Sequence, residues 1–325
     1  MEIGLFTDGL MHLPFAAALE MSSRLGVQVV EIGTGNFSPA THCDLNRLLN
    51  EADARAEFLD TIRSHGLRLV ALNCSGNPLH PNPSISKPAI EITRKTLLLA
   101  GLLGVERIVC MSGCPGTPGS STYPNWVVAT WPEDFLELLD WQWNEQVLPF
   151  WSQMVELARS QGVSQLCFEL HPANCVYNLS SFLRLREALG STVMANLDPS
   201  HFFFQGMDPL AVIRALGKTI GYVHAKDARV EPYNLALQGS LDLQPGKPVR
   251  DLVWAYRTLG YGHDQRFWAD FVSALRSVGY DGVLSIEHED PLMDSEEAIG
   301  RAVDLLRSTA FFQPPSVFPG APPAF

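Results

Sequence analysis

The chain of 325 residues has no uncharged apolar stretch of the ~18 residues that a bilayer-spanning helix needs. Its first residues, MEIGLFTDGLMHLPF, lack the basic start and long apolar centre of a secretory signal, so a cytoplasmic protein is expected. None of the six cysteines (Cys43, Cys74, Cys110, Cys114, Cys167 and Cys175) forms a CxxC pair, and CMSGC at 110–114 has the wrong spacing for a zinc knuckle. Reduced, buried thiols are the expectation. Positive charge is scarce: 23 Lys and Arg stand against 35 Asp and Glu, a formal net charge of −12. Such a surface repels phosphate backbones and anionic lipid, which argues against nucleic acid and membrane as partners. A Gly-rich phosphate turn is also missing, since the first apolar run is followed by FTDGLMHLPF.

What is present is an alternation. Short, β-branched apolar runs recur eight times, at 3–6, 27–33, 67–73, 105–111, 164–170, 192–198, 220–225 and 282–287. Runs this short and continuous suit strands buried on both faces of a parallel sheet. Between them, residues 45–66, 85–104, 132–162, 208–217, 264–279 and 294–308 space their apolar residues for helices. The first of these stops at Gly66, and the last three begin at a capping Asp. Pro149 is expected to kink or divide 132–162. Strand then helix, eight times without a change of composition, predicts a single-domain α/β protein, a (β/α)8 TIM barrel over residues 1–312. A Pro-rich tail, 313–325, follows it. Two connections are long, 112–131 after the fourth strand and 226–263 after the seventh. In a barrel both lie on the catalytic face, where they can serve as lids.

The last four runs end alike. FELHP supplies Glu169 and His171, and NLDPSH supplies Asp198 and His201. YVHAKD supplies His224, Lys226 and Asp227, and SIEHED supplies Glu287 with His288, Glu289 and Asp290. Singly, each has an ordinary explanation: Glu169 caps a turn, Asp198 starts one before proline, His224 is a satisfied core histidine, and Glu287 pairs with an arginine. Together, Glu169, Asp198, His224 and Glu287 sit at the same topological position on consecutive strands, where a barrel brings their side chains to one mouth. Three carboxylates and an imidazole suit one divalent metal ion, Mn2+ first, with Mg2+, Co2+, Zn2+ or Fe2+ as other occupants.

With these motifs the chain resembles the xylose isomerase-like sugar isomerases and epimerases, which include ketose 3-epimerases and inosose dehydratases. LNCSGNPLHP at 72–81 also resembles the pattern of sugar phosphate isomerases/epimerases. The resemblance covers about residues 1–310. It implies that Glu169, Asp198, His224 and Glu287 hold the metal, that Glu169 and Glu287 are the catalytic acid/base pair, and that His201 contacts substrate. The arginine that the epimerases place six residues after the ligand histidine is here Val230.

The chemistry expected is proton abstraction beside the carbonyl of a keto-sugar or related polyol, with the cation stabilising the enediolate. His171, His201, Lys226, Asn73 and His80 are the substrate-binding candidates. Lys226 either neutralises a developing oxyanion or pairs with Asp227. His288, Glu289 and Asp290 are expected to support Glu287. Trp126, Trp131, Trp254 and Tyr256 stand in or near the long connections, to stack on a sugar or pack a lid. A lyase is the alternative: the same proton removal followed by loss of a β-substituent, from a keto-sugar or a 3-keto-glycoside. A non-catalytic sugar-binding protein would keep the fold without needing two carboxylates. The partner expected is a small sugar, and a homo-oligomer is compatible with the class.

Overall fold

The computed structural model describes residues 1–119, 122–243 and 245–315, so most of the proline-rich tail lies outside the described residues. Eight parallel strands close into a barrel: β1 (Glu2–Phe6), β2 (Val29–Gly33), β3 (Arg68–Asn73), β4 (Arg107–Cys110), β5 (Gln165–Glu169), β6 (Val193–Leu197), β7 (Ile220–Ala225) and β10 (Val283–Ile286). Each falls within, or one residue beyond, one of the eight apolar runs, and most of their residues are buried. The remaining strands, β8 (Asp227–Val230) and β9 (Trp254–Arg257), pair antiparallel as a separate two-stranded sheet. No helix among the described residues is long and apolar enough to cross a membrane.

Two compact units divide the chain: residues 1–30, 65–67 and from 197 onward, and residues 31–64 with 68–196. In the first unit, β1 pairs with β10 and β10 with β7, in a register that sets Leu5 beside Ile286 and Ser285 beside His224. The helices Pro209–Leu216, Gln265–Ser277 and Ser295–Thr309 each start where Asp208, Asp264 or Asp294 accepts a backbone N–H with its side chain. These caps satisfy amides that have no partner within a first helical turn.

The second unit carries β3, β4, β5 and β6 as far as Asn196, and differs from the sequence reading at two helices. Residues 45–66 form two helices, Leu45–Asn50 and Ala52–Ser64, because Glu51 between them is extended (φ −117°, ψ 114°). Residues 132–162 do not break at Pro149. Helix Asp134–Trp141 passes through a π turn, Gln142–Val147, into helix Leu148–Ser160, which takes Pro149 in its first turn. A proline at that point needs no backbone donor, so the looser turn ahead of it absorbs the mismatch. Gln142, on the π turn, is buried and donates to the carbonyls of Pro115 (3.2 Å), Gly116 (3.1 Å) and Asn125 (2.8 Å). One amide thereby ties down the connection after β4.

The connection after β7 also differs from a simple loop. Only Lys226 separates β7 from β8, and residues 227–257 fold into the β8–β9 sheet with a short helix, Pro232–Gln238, between its strands. The anchor of this segment is Asp227. Its buried carboxylate accepts from the backbone of Ala228, Gly260, Gly262 and His263, from His263 Nδ1 and from Trp268 Nε1, at 2.8–3.3 Å. Gly262 is required at this turn, since a Cβ there would lie 2.4 Å from Asp227 Oδ1 and 2.5 Å from Ala228 O.

Candidate active site

Strand alternation sorts the side chains at the strand ends. Residues two apart share a face, so Lys226 follows His224 to one side while Asp227 turns to the other. Lys226 therefore does not take Asp227 as its partner: its Nζ lies 2.5 Å from Glu289 Oε2 and 3.4 Å from Glu287 Oε1, and 4.2 Å from the centre of the Tyr256 ring. After β10 the same alternation continues, sending Glu287 and Glu289 to Lys226. Asp290 faces the other way and accepts from Thr258 N (2.8 Å), Thr258 Oγ1 (3.0 Å) and Arg257 Nε (3.2 Å).

Within the first unit, Asp198, His224 and Glu287 each offer one ligand atom, and these atoms all lie within 4.8 Å of one another. Donors bound at about 2.1 Å on opposite sides of one cation stand ~4.2 Å apart, so the spread is near that of a single coordination sphere. Two details fit a cation further. Asp198 Oδ1 accepts from Ser200 N at 2.8 Å, whereas its buried Oδ2 makes no hydrogen bond. Glu287 Oε2 is likewise buried without a hydrogen bond. The neighbours of these atoms, His201 Nε2 at 3.2 Å and His224 Nδ1 at 2.9 Å, stand at ion-pair distance but outside hydrogen-bond geometry. Leaving two buried carboxylate oxygens so placed is costly unless a cation meets them.

The electrostatics agree in direction. Burial disfavours ionised Glu287, yet Lys226 and then His224 outweigh it and hold the carboxyl well below its usual range. Burial likewise opposes ionised Asp198, and the neighbouring His201 overcomes it. For Lys226, burial alone would favour the neutral amine, but Glu287 and Glu289 keep it protonated. Burial pushes the Tyr256 hydroxyl up, against the pull of Lys226.

His201 is buried on the short helix Ser200–Phe203, with Nδ1 3.2 Å from the Tyr256 hydroxyl. His171 is half-buried, and its Nδ1 lies 2.6 Å from the Pro172 carbonyl. The Asn73 amide donates to buried Glu31 at 2.8 Å and its oxygen accepts from Ser75 N. His80 Nδ1 accepts from Asn82 N at 3.0 Å, and the ring lines a cavity with Pro115, Thr117 and Trp141. His80 is in no cluster of possible metal donors among the described residues.

Sequence reasoning missed Phe6. At the end of β1 its ring stacks on His224, with centroids 6.2 Å apart and planes 9° apart, while Tyr222 meets His224 edge-on at 5.9 Å. Together they hold the imidazole. Phe6→Ala is expected to weaken metal binding about tenfold by freeing that ring. Competition against a chelating dye measures this, and unchanged affinity would show that the stacking does not orient His224.

The profile described as xylose isomerase-like TIM barrel matches residues 19–309. Protein YfiH of Bacillus subtilis (strain 168), itself uncharacterized, is 39% identical over 311 residues, 95% of this chain and 99% of YfiH. Among solved structures, the IolI protein with a bound zinc atom superposes with a TM-score of 0.63 at 20% identity, covering 96% of this chain and 100% of IolI. D-psicose 3-epimerase from Clostridium cellulolyticum H10, solved with D-tagatose, gives 0.60 at 16% identity, covering 95% and 99%.

Proposed function

Since the chain belongs to the xylose isomerase-like TIM barrel family, we propose that it is a divalent-metal-dependent isomerase or epimerase of a keto-sugar or related polyol. The reading is carried by the meeting of Asp198, His224 and Glu287, three donor atoms within 4.8 Å of one another, with Glu169 at the end of β5 as the fourth ligand of the proposal. The zinc of IolI and the ketose of the D-psicose 3-epimerase support extending both metal and substrate class to this chain. Three carboxylates and one imidazole favour a hard, oxygen-seeking ion, with Mn2+ foremost.

A divalent cation held there would supply positive charge to offset negative charge developing on a substrate oxygen. Glu287, held ionised by Lys226 and His224, removes that proton, and Glu169 on a different strand end delivers one to the opposite face. Lys226 faces the charge that develops beside Glu287. His201, between Asp198 and Tyr256, orients the Asp198 carboxylate and hydrogen-bonds substrate hydroxyls.

Protein loaded with Mn2+ and incubated with keto-sugars in deuterated water is expected to incorporate deuterium beside the carbonyl, and a chelator should abolish this. No exchange across a broad panel of ketoses and inososes would overturn the proposal. A cavity next to Tyr256 keeps the lyase as a second reading. Release of water or an aglycone together with exchange identifies that reaction.

A further inference from the structure

The two faces of the β8–β9 sheet carry different chemistry. Arg229 pairs across the strands with Ala255, and Arg257 lies two residues further along β9, so the three share one face. Tyr256 belongs to the other face, the one turned toward Lys226. Arg229, Ala255 and Arg257 line a cavity of about 370 Å3 together with Arg250, a volume within the range of small-molecule sites. Its charged lining residues are these three arginines and one glutamate, Glu231, in a chain where Asp and Glu outnumber Lys and Arg 35 to 23.

The arginines are loosely committed to the protein. Arg229 Nε lies 3.9 Å from Glu231 Oε2, and Arg250 Nε lies 3.7 Å from Asp251 Oδ1. Both distances exceed a hydrogen bond, and exposed pairs of this kind hold a guanidinium weakly. Arg257 sits deeper, with its side chain 16% exposed, and its Nε donates to Asp290 Oδ2 at 3.2 Å. Its other N–H donors have no protein acceptor among the described residues. A guanidinium with donors to spare forks onto the paired oxygens of a carboxylate or phosphate. The rest of the lining is apolar, with Pro248 and Leu252 among it and Leu292 60% exposed. A bare inorganic anion would leave that surface wet, and a neutral molecule would leave the arginines unused. An organic anion matches both halves.

We infer that this face of the sheet binds a small organic anion, its carboxylate or phosphate on Arg229, Arg250 and Arg257 and its apolar body against Pro248, Leu252 and Leu292. None of these residues is among the possible metal donors, so the site stands or falls apart from the reaction proposed above.

Calorimetric titration of the full chain with phenyl phosphate and phenylacetate, compared with inorganic phosphate and benzyl alcohol, tests it. One of the phenyl anions is expected to bind about tenfold tighter than both inorganic phosphate and the neutral alcohol. Tighter phenyl phosphate marks a phosphate ester as the ligand class and tighter phenylacetate a carboxylate, and either upholds the site. The double variant Arg229→Gln with Arg250→Gln should weaken that anion about tenfold. Leu292→Asn should shrink its advantage over inorganic phosphate to within about twofold. The altered side chains are exposed, so melting temperatures are expected to match the parent's. Failure of both phenyl anions to bind at millimolar concentration overturns the inference. An affinity that the double arginine variant leaves unchanged also overturns it, because the anion then sits at another cation. So does sedimentation in which that variant turns a dimer into monomers while the parent binds neither anion, which assigns the face to a second copy. Deuterium exchange into ketoses, present or absent, bears on the reaction alone.

Discussion

Glu287→Gln is expected to slow deuterium exchange by about 10²- to 10⁴-fold, the range over which a positioned general base contributes. The substitution keeps the shape of the side chain and the amide oxygen, but it removes the negative charge that sits 2.9 Å from His224 Nδ1 and 3.4 Å from Lys226 Nζ. Metal content, measured by mass spectrometry on the same sample, separates the two roles assigned to this carboxylate. If metal stays bound and exchange falls, the proton-transfer role stands. A variant within about threefold of the parent would remove Glu287 from the mechanism, whatever its contacts.

The largest effect on stability belongs to Asp227→Ala. One buried carboxylate gathers four backbone N–H groups, an imidazole and an indole. Removing it strands two buried donors, Ala228 N and Trp268 Nε1, each costing about 1–3 kcal/mol when left unpaired, and frees four part-buried ones. These costs overlap, so a total of about 4 kcal/mol is the working expectation. A domain of this size then melts on the order of 10 °C lower, as read by calorimetry. Proteolysis is expected to cut first within 228–263, since that segment loses its tie to Trp268 and to the Phe203–His263 stack, whose ring centroids are 3.8 Å apart. A melting temperature within 2 °C of the parent would mean that the β8–β9 sheet holds itself in place without this anchor.

Much of the barrel could be read in advance because parallel strands covered on both faces leave a plain signal: short runs such as VQVVEIG and SQLCFEL, each followed by helical spacing and a polar cap. The strand-end carboxylates and His224 were legible for a related reason. Charge placed directly after a buried run is expensive and therefore rare, and its repetition on four strands stands out. The β8–β9 sheet carried no such signal. DARV and WAYR are four residues each, half exposed, and mix charge with small and aromatic residues. The pairing of Lys226 with Glu289 was hidden by the 63 residues between them, whereas Asp227 lay next door and offered itself as the partner. Alternation along the strand rules out the neighbour and selects the distant residue, but only once the strand's direction is fixed.

Lys226 is the single residue between a strand of the barrel and the first strand of the inserted sheet. The donor His224 therefore stands three residues ahead of the inserted sheet. It is the donor on that strand, and no member of the donor cluster lies between Ala228 and Ala255. For protein engineering this marks 231–253 as an exchangeable cassette, in which grafts from sister barrels should retune which molecules are accepted while leaving the proton chemistry in place.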